Sequence, residues 1–153
     1  TAVGDATGTT ALDLYCGVGL FTLPLARRFE SVVGVEESEE AIGFARRNSD
    51  AAGLGNINFR VRRVRNYLGS YDGPRPDLVL LDPPRSGTKK GTVRSIIGLE
   101  SSRISYVSCD PAMLARDVRT FTESGYAIDS IMAIDLFPQT HHVETVVHLH
   151  RDR

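Results

Sequence analysis

The residues best placed to do chemistry begin with a thiol. Cys109 stands in Ser108-Cys109-Asp110-Pro111-Ala112, directly after the apolar run Arg103-Ile104-Ser105-Tyr106-Val107. That order places it where a strand hands over to a helix, and in an open α/β sheet the carboxyl ends of the strands form the ligand crevice. Pro111 suits the first turn of the following helix, whose positive end favours thiolate over thiol. Cys109 is therefore a candidate nucleophile; the plain alternative is a small buried apolar residue. A second group is the glycine bend Asp13-Leu14-Tyr15-Cys16-Gly17-Val18-Gly19, followed nineteen residues after Gly17 by Glu36. Glycines let the backbone close tightly on a ligand, and an acid at the end of the next strand can accept hydrogen bonds from a ribose diol. Two adenosine cofactors fit this pair: a nicotinamide dinucleotide and S-adenosylmethionine. A dinucleotide wants a third glycine for its pyrophosphate, but Gly19 is followed by Leu20, Phe21 and Thr22, which favours the phosphate-free sulfonium. A third group is Asp82-Pro83-Pro84-Arg85, where two prolines stiffen a turn and aim the Asp82 carboxylate. Amino-methyltransferases with a related turn place an aromatic next; Arg85 in that place argues against exocyclic-amine chemistry.

The elements that must hold these groups follow from alternating short β-type runs and helical stretches, the pattern of a parallel sheet covered on both faces. Strands are expected at 11–15, 31–36, 56–63, 77–81 and 103–108. Helices are expected from about Leu20 to Phe29, from a Ser38 cap to about Ala52, and within 90–99 and 111–124. The end of the chain differs. Residues 126–137 and 142–151 both read as strands, separated only by Pro138-Gln139-Thr140-His141. That gap is too short for a crossover helix, so the pair must be an antiparallel hairpin. Five β-α units plus a terminal hairpin make a seven-stranded sheet.

At 153 residues the chain is one domain, with 41% hydrophobic and 24% charged residues, ordinary values for a soluble globular protein. No apolar run approaches the length of a membrane span. Two cysteines make no disulfide framework and fit a reducing cytoplasm. The net charge of −1 neither demands nor excludes nucleic acid, yet sixteen of the eighteen basic residues are arginine, the better phosphate fork.

Together the motifs resemble the RNA uracil-5-methyltransferase family, whose members make 5-methyluridine in transfer and ribosomal RNA. The matching runs are Leu12-Asp13-Leu14-Tyr15-Cys16-Gly17-Val18-Gly19, Val33-Gly34-Val35-Glu36, Leu81-Asp82-Pro83-Pro84-Arg85-Ser86-Gly87, Val107-Ser108-Cys109-Asp110-Pro111 and His141-His142-Val143-Glu144-Thr145, in family order along nearly the whole chain. The resemblance implies a class I S-adenosylmethionine-dependent methyltransferase fold of Rossmann-like type, with residues 1–153 as its single catalytic domain. It implies methyl transfer to C5 of a uridine in RNA, with Cys109 adding to C6 and Glu144 removing the C5 proton. It places Tyr15, Gly17, Gly19, Leu20 and Glu36 around S-adenosylmethionine, and gives Asp82 to the cofactor or the uracil. Cys16, the rival thiol, falls in the cofactor turn and is read as packing.

Two departures from the family pattern stand out. Arg63 occupies a strand-end position where the family has an acidic or amide residue facing the adenine; arginine cannot accept from the adenine amino group. With Arg60, Arg62 and Arg65 it could instead touch RNA phosphates, or protect an edge strand. The family's Phe-Gln-x-Asn segment and N-terminal RNA-binding region are absent, so the chain reads as an excised catalytic domain that binds RNA weakly. The partner expected is an RNA substrate, with no membrane and no obligate protein partner evident. His141, His142, His148 and His150 lack a matching ligand set, and no metal is expected. Two other functions fit the same residues: a methyltransferase for another base or a small molecule, with Cys109 merely structural, and a non-catalytic cofactor-binding module.

Overall fold

A computed structural model describes residues 2–89, 91–135 and 143–151. Five strands run parallel: β1 (Gly8–Leu14), β2 (Phe29–Glu36), β3 (Ile57–Val61), β4 (Leu78–Leu81) and β5 (Arg103–Ser108). Between them lie α1 (Thr22–Ala26), α2 (Glu39–Ala51), α3 (Val64–Leu68) and α4 (Thr92–Ile97), and α5 (Pro111–Glu123) follows β5. The chain closes with β6 (Ala127–Ile134) and β7 (Glu144–His150), antiparallel to each other, with β7 also antiparallel to β5. The sheet order is β3-β2-β1-β4-β5-β7-β6, the class I methyltransferase arrangement that the terminal hairpin implied. The residues between β6 and β7, His141 and His142 among them, lie outside the described residues.

The central strands are apolar on both faces because both faces are covered. All four residues of β4 are at most 2% exposed, and Ala11 to Leu14 of β1 are equally buried. One face packs Val64, Leu68, Ile96, Leu114 and Phe121 from α3, α4 and α5 against the sheet. The other is covered by α1, by residues Ala2, Val3 and Ala6, and, over β2 and β3, by Ile42 and Ala45 of α2. The order of the strands reverses between β1 and β4, which opens a crevice at their carboxyl ends.

Local chemistry explains the boundaries. Ser38 caps α2 by accepting from the Ala41 N–H at 3.2 Å, and Gly53, at φ +66°, lets the chain leave the helix. Asp110 caps α5 by accepting from Ala112 and Met113, with Pro111 at the first helical position. Two boundaries differ from the sequence expectation. Helix α1 is five residues rather than about ten: Leu20 and Phe21 stay in the turn, and Phe29, 3% exposed, is drawn into β2 opposite Gly8. Strand β3 ends at Val61, and Arg63 becomes the N-cap of α3. That helix is only one turn long, with Val64 and Leu68 buried, too short to show helical periodicity.

Candidate active site

The crevice at the carboxyl ends of β1, β2 and β4 is a cavity of about 460 Å³, lined by Tyr15, Glu36, Arg63, Asn66, Asp82 and Thr92, among others. Tyr15, the first residue of the bend after β1, lines it. Tyr15 sits at φ +66°, a left-handed conformation that costs a non-glycine residue on the order of 1–2 kcal/mol. The conformation is held by the Val35 carbonyl, which accepts from both the Tyr15 N–H at 2.9 Å and the Cys16 N–H at 3.1 Å. Gly17 and Gly19 continue the bend with φ +52° and +90°. A Cβ on Gly19 would lie 2.8 Å from the Leu23 side chain, so this position also needs glycine for space.

Glu36 ties the second strand to that bend. One carboxylate oxygen accepts from the Gly17 N–H at 3.3 Å and the other from the Ser38 N–H at 2.9 Å. The Gly17 N–H, which a dinucleotide's pyrophosphate would need, is thus already held by a negative charge. Beneath lies Asp13, fully buried, with one carboxyl oxygen accepting from the Thr22 hydroxyl at 2.5 Å and the other without a hydrogen-bond partner. Burial, then the charges of Asp82 and Glu36, push its carboxyl up to about 7. Cys16 is buried beside Ile42, Ala45 and Phe59, and burial with the Asp13 charge pushes its thiol upward. Gly34 makes room for it: a Cβ there would meet Phe59 at 2.9 Å and the Cys16 sulfur at 3.1 Å. Cys16 is a packing residue.

Cys109 follows the last residue of β5 and is half-buried and free. The β5–β7 register ends with Ser108 opposite Thr145. Cys109, in the bend just after β5, and Glu144, the first residue of β7, are the next residues beyond that pair. Asp82, half-buried at the end of β4, is pushed up to about 6, first by burial and then by the Glu144 charge. Asp82, Cys109 and Glu144 therefore stand at the adjoining ends of β4, β5 and β7. The N–H groups of Ala112 and Met113 at the start of α5 are taken by the Asp110 carboxylate.

The remaining expected residues divide. Leu20 is 69% exposed, and neither it nor Gly17 or Gly19 lines the cavity, which Tyr15 alone of the bend reaches. Arg63 lines it, but from the cap of α3 rather than from a strand, and its Nε donates to Glu37 at 3.1 Å with both side chains largely exposed. Sequence reasoning missed Asn66 and Thr92. Asn66 comes with the short helix that gave no periodic signal. Thr92, fully buried with a hydroxyl oxygen lacking a partner, is brought beside Tyr15 by α4, which no local pattern announces. His148 packs against Gly4, and His150 lies 2.5 Å from Asp129. Among the described residues no group of His, Cys, Asp and Glu could hold a metal ion, and no helix is long and apolar enough to cross a membrane.

Comparison with known proteins places this geometry. The chain is 44% identical over 142 residues to an uncharacterized RNA methyltransferase of Streptomyces avermitilis, covering 91% of the chain and 32% of the relative. It is 41% identical over 143 residues to one of Caldanaerobacter subterraneus subsp. tengcongensis, covering 94% and 32%. It superposes with a TM-score of 0.81 and 38% identity on Pyrococcus abyssi tRNA (uracil-54, C5)-methyltransferase, solved in complex with S-adenosyl-L-homocysteine, covering 94% of this chain and 35% of that one. The chain thus spans about a third of the length of these relatives. The tRNA (uracil-5-)-methyltransferase family model matches residues 2–152, and the chain belongs to that family.

Proposed function

We propose that the chain is the catalytic domain of an S-adenosylmethionine-dependent RNA methyltransferase acting on C5 of a uridine in transfer or ribosomal RNA. The observation that carries the reading is the convergence of Cys109, Glu144 and Asp82 at three neighbouring strand ends beside the cavity of Tyr15 and Glu36. The solved relative, a tRNA uracil-C5 methyltransferase bound to S-adenosyl-L-homocysteine, supports both the substrate class and the cofactor.

The residues present suit that cofactor. Glu36 and Asp82 offer carboxylates to a diol and a cationic centre, and the closed Gly17 N–H offers nothing to a pyrophosphate. Tyr15 and Glu36 would hold the nucleoside, with Gly17 and Gly19 shaping the bend that positions them. Because Arg63 is bound to Glu37, acceptors for an adenine amino group come from Asn66 and Glu37 on the same wall. When bound, S-adenosylmethionine supplies an electrophilic methyl group on a sulfonium.

The protein's task is to make C5 of uracil nucleophilic. The Cys109 sulfur, having given its proton to solvent, adds to C6 as the thiolate, and the electron pair of the C5–C6 double bond moves to the ring as an enolate with nucleophilic C5. Once C5 carries the methyl group, Glu144 takes the C5 proton, the double bond reforms and the C6–S bond breaks with its pair returning to sulfur. Reaching the thiol requires the uridine to be swung out of its stack.

The test is trapping with RNA containing 5-fluorouridine, alongside transfer of a labelled methyl group to unmodified RNA. The wild type should form a stable adduct, Cys109→Ala should lose adduct and transfer together, and Glu144→Gln should slow release and accumulate adduct on ordinary RNA. Full turnover by Cys109→Ala would end the proposal.

A further inference from the structure

A second hollow, of about 520 Å³, lies on the other side of the loop that closes the cavity, between α4 and α5. Its charged lining is Lys89, Arg94, Arg116 and Asp117, and Lys89 lines the cofactor cavity as well. The two hollows therefore stand back to back across residues 86–89.

The single acid is already spent. Asp117, 3% exposed, accepts from the Thr88 and Tyr106 hydroxyls at 2.7 Å each, and its other oxygen lies 2.8 Å from Nε and Nη2 of Arg116. This clamp fixes the Arg116 guanidinium while leaving about half of the side chain exposed. A fixed guanidinium loses less freedom when it binds an oxyanion. Gly87, at φ +70°, lets the loop lie against α5, where a Cβ would meet Met113 at 3.0 Å. The loop is thus held by α5 while Lys89 and Arg94 stay exposed.

The charge contrast indicates the ligand. The cofactor cavity balances Glu36, Glu37 and Asp82 against Arg63, Arg65 and Lys89, whereas the hollow next to it sets three cations around one satisfied carboxylate and keeps an excess of positive charge. We infer that the Lys89, Arg94 and Arg116 hollow is a subsite for a backbone phosphate of the substrate RNA, next to the nucleotide that enters the active site. This rests on the proposed function and adds to it where the strand runs: over α4 and α5, where the excess of cations lies.

The test uses Arg94, exposed and outside the cofactor cavity. Fluorescence anisotropy of a labelled RNA stem-loop with a loop uridine is followed through a salt series. Arg94→Gln should weaken retention roughly 5–10-fold at low salt and reduce the log–log salt slope by about 0.7–0.9, the value for one lost phosphate contact. Arg94→Lys should restore the slope, and Arg119→Gln, an exposed α5 cation outside the hollow, should change affinity less than about twofold. S-Adenosylmethionine affinity by calorimetry should be the same in all variants. If Arg94→Gln matches the wild type through the series while the wild type retains and methylates RNA, the subsite is wrong and the function stands. If the wild type neither retains RNA nor transfers methyl to it, both fall. Competition by an oligoglutamate peptide equal to that of RNA of the same charge would overturn the assignment in favour of a protein-docking surface.

Discussion

At the scale of single residues, the most consequential group outside the reacting set is Asp13. Its carboxyl is pushed up to about 7 from an ordinary 3.8, mainly by burial. A raised carboxyl binds its proton more tightly in the folded chain than in the unfolded one. Its contribution to stability is therefore full below about pH 4 and is lost as pH rises through about 7. Asp82, pushed up to about 6, acts in the same direction. Lowering the pH from 8 to 5.5 should make the protein more resistant to urea. Asp13→Asn keeps an oxygen for the Thr22 hydroxyl and removes the buried charge, at the cost of an amide N–H₂ where the free carboxyl oxygen now lies. The variant should be about 1–3 kcal/mol more stable than wild type at pH 8, and the advantage should vanish near pH 5. Urea unfolding at the two pH values measures both; an equal difference at both would show that the proton is not on Asp13.

At the scale of elements, the loop between β4 and α4 is fixed by a network that joins three parts of the chain. Thr88 from the loop, Tyr106 from β5 and Arg116 from α5 all meet on Asp117. Tyr106 is fully buried, and its hydroxyl donates to a carboxylate. Tyr106→Phe should therefore cost about 1.5–3 kcal/mol in chemical unfolding, more than a neutral hydrogen bond would. It should also loosen residues 86–89, read as faster amide exchange there than in α2. What the sequence disclosed at this scale was the punctuation. Pro111 after Asp110, Ser38 before α2, and a terminal pair of strands with no room for a helix each act through near neighbours, so they were legible. The Asp117 network, the Thr92 wall and the Glu36 link to Gly17 join residues distant in the chain. No local pattern encodes them. Arg63 shows the difference: its type was readable, but its pairing with Glu37 and its place capping α3 depend on where β2 ends. The order of Cys109 and Glu144 along the chain was likewise plain, whereas their place at adjoining ends of β5 and β7 needs the strand order.

At the scale of the whole molecule, the two edges of the sheet are protected unequally. Strand β3 carries Arg60, exposed, beside its exposed Val61, and Arg62 follows, so a second sheet edge approaching it meets fixed positive charge. Strand β6 forms the opposite edge, and seven of its eight residues are exposed. Its exposed apolar side chains include Ile128 at 42%, Ile131 at 63% and Met132 at 44%, with Asp129 as its charged residue, lying 2.5 Å from His150. An edge with exposed apolar side chains and little net charge invites pairing with another copy. Ile131→Lys should oppose that pairing by placing a cation mid-strand. Because Ile131 is already mostly in water, the change should alter stability by less than about 0.5 kcal/mol. Sedimentation velocity over a concentration series should show wild-type association that the variant lacks, with unchanged urea midpoints. Equal association by the two proteins would place the contact elsewhere on the molecule.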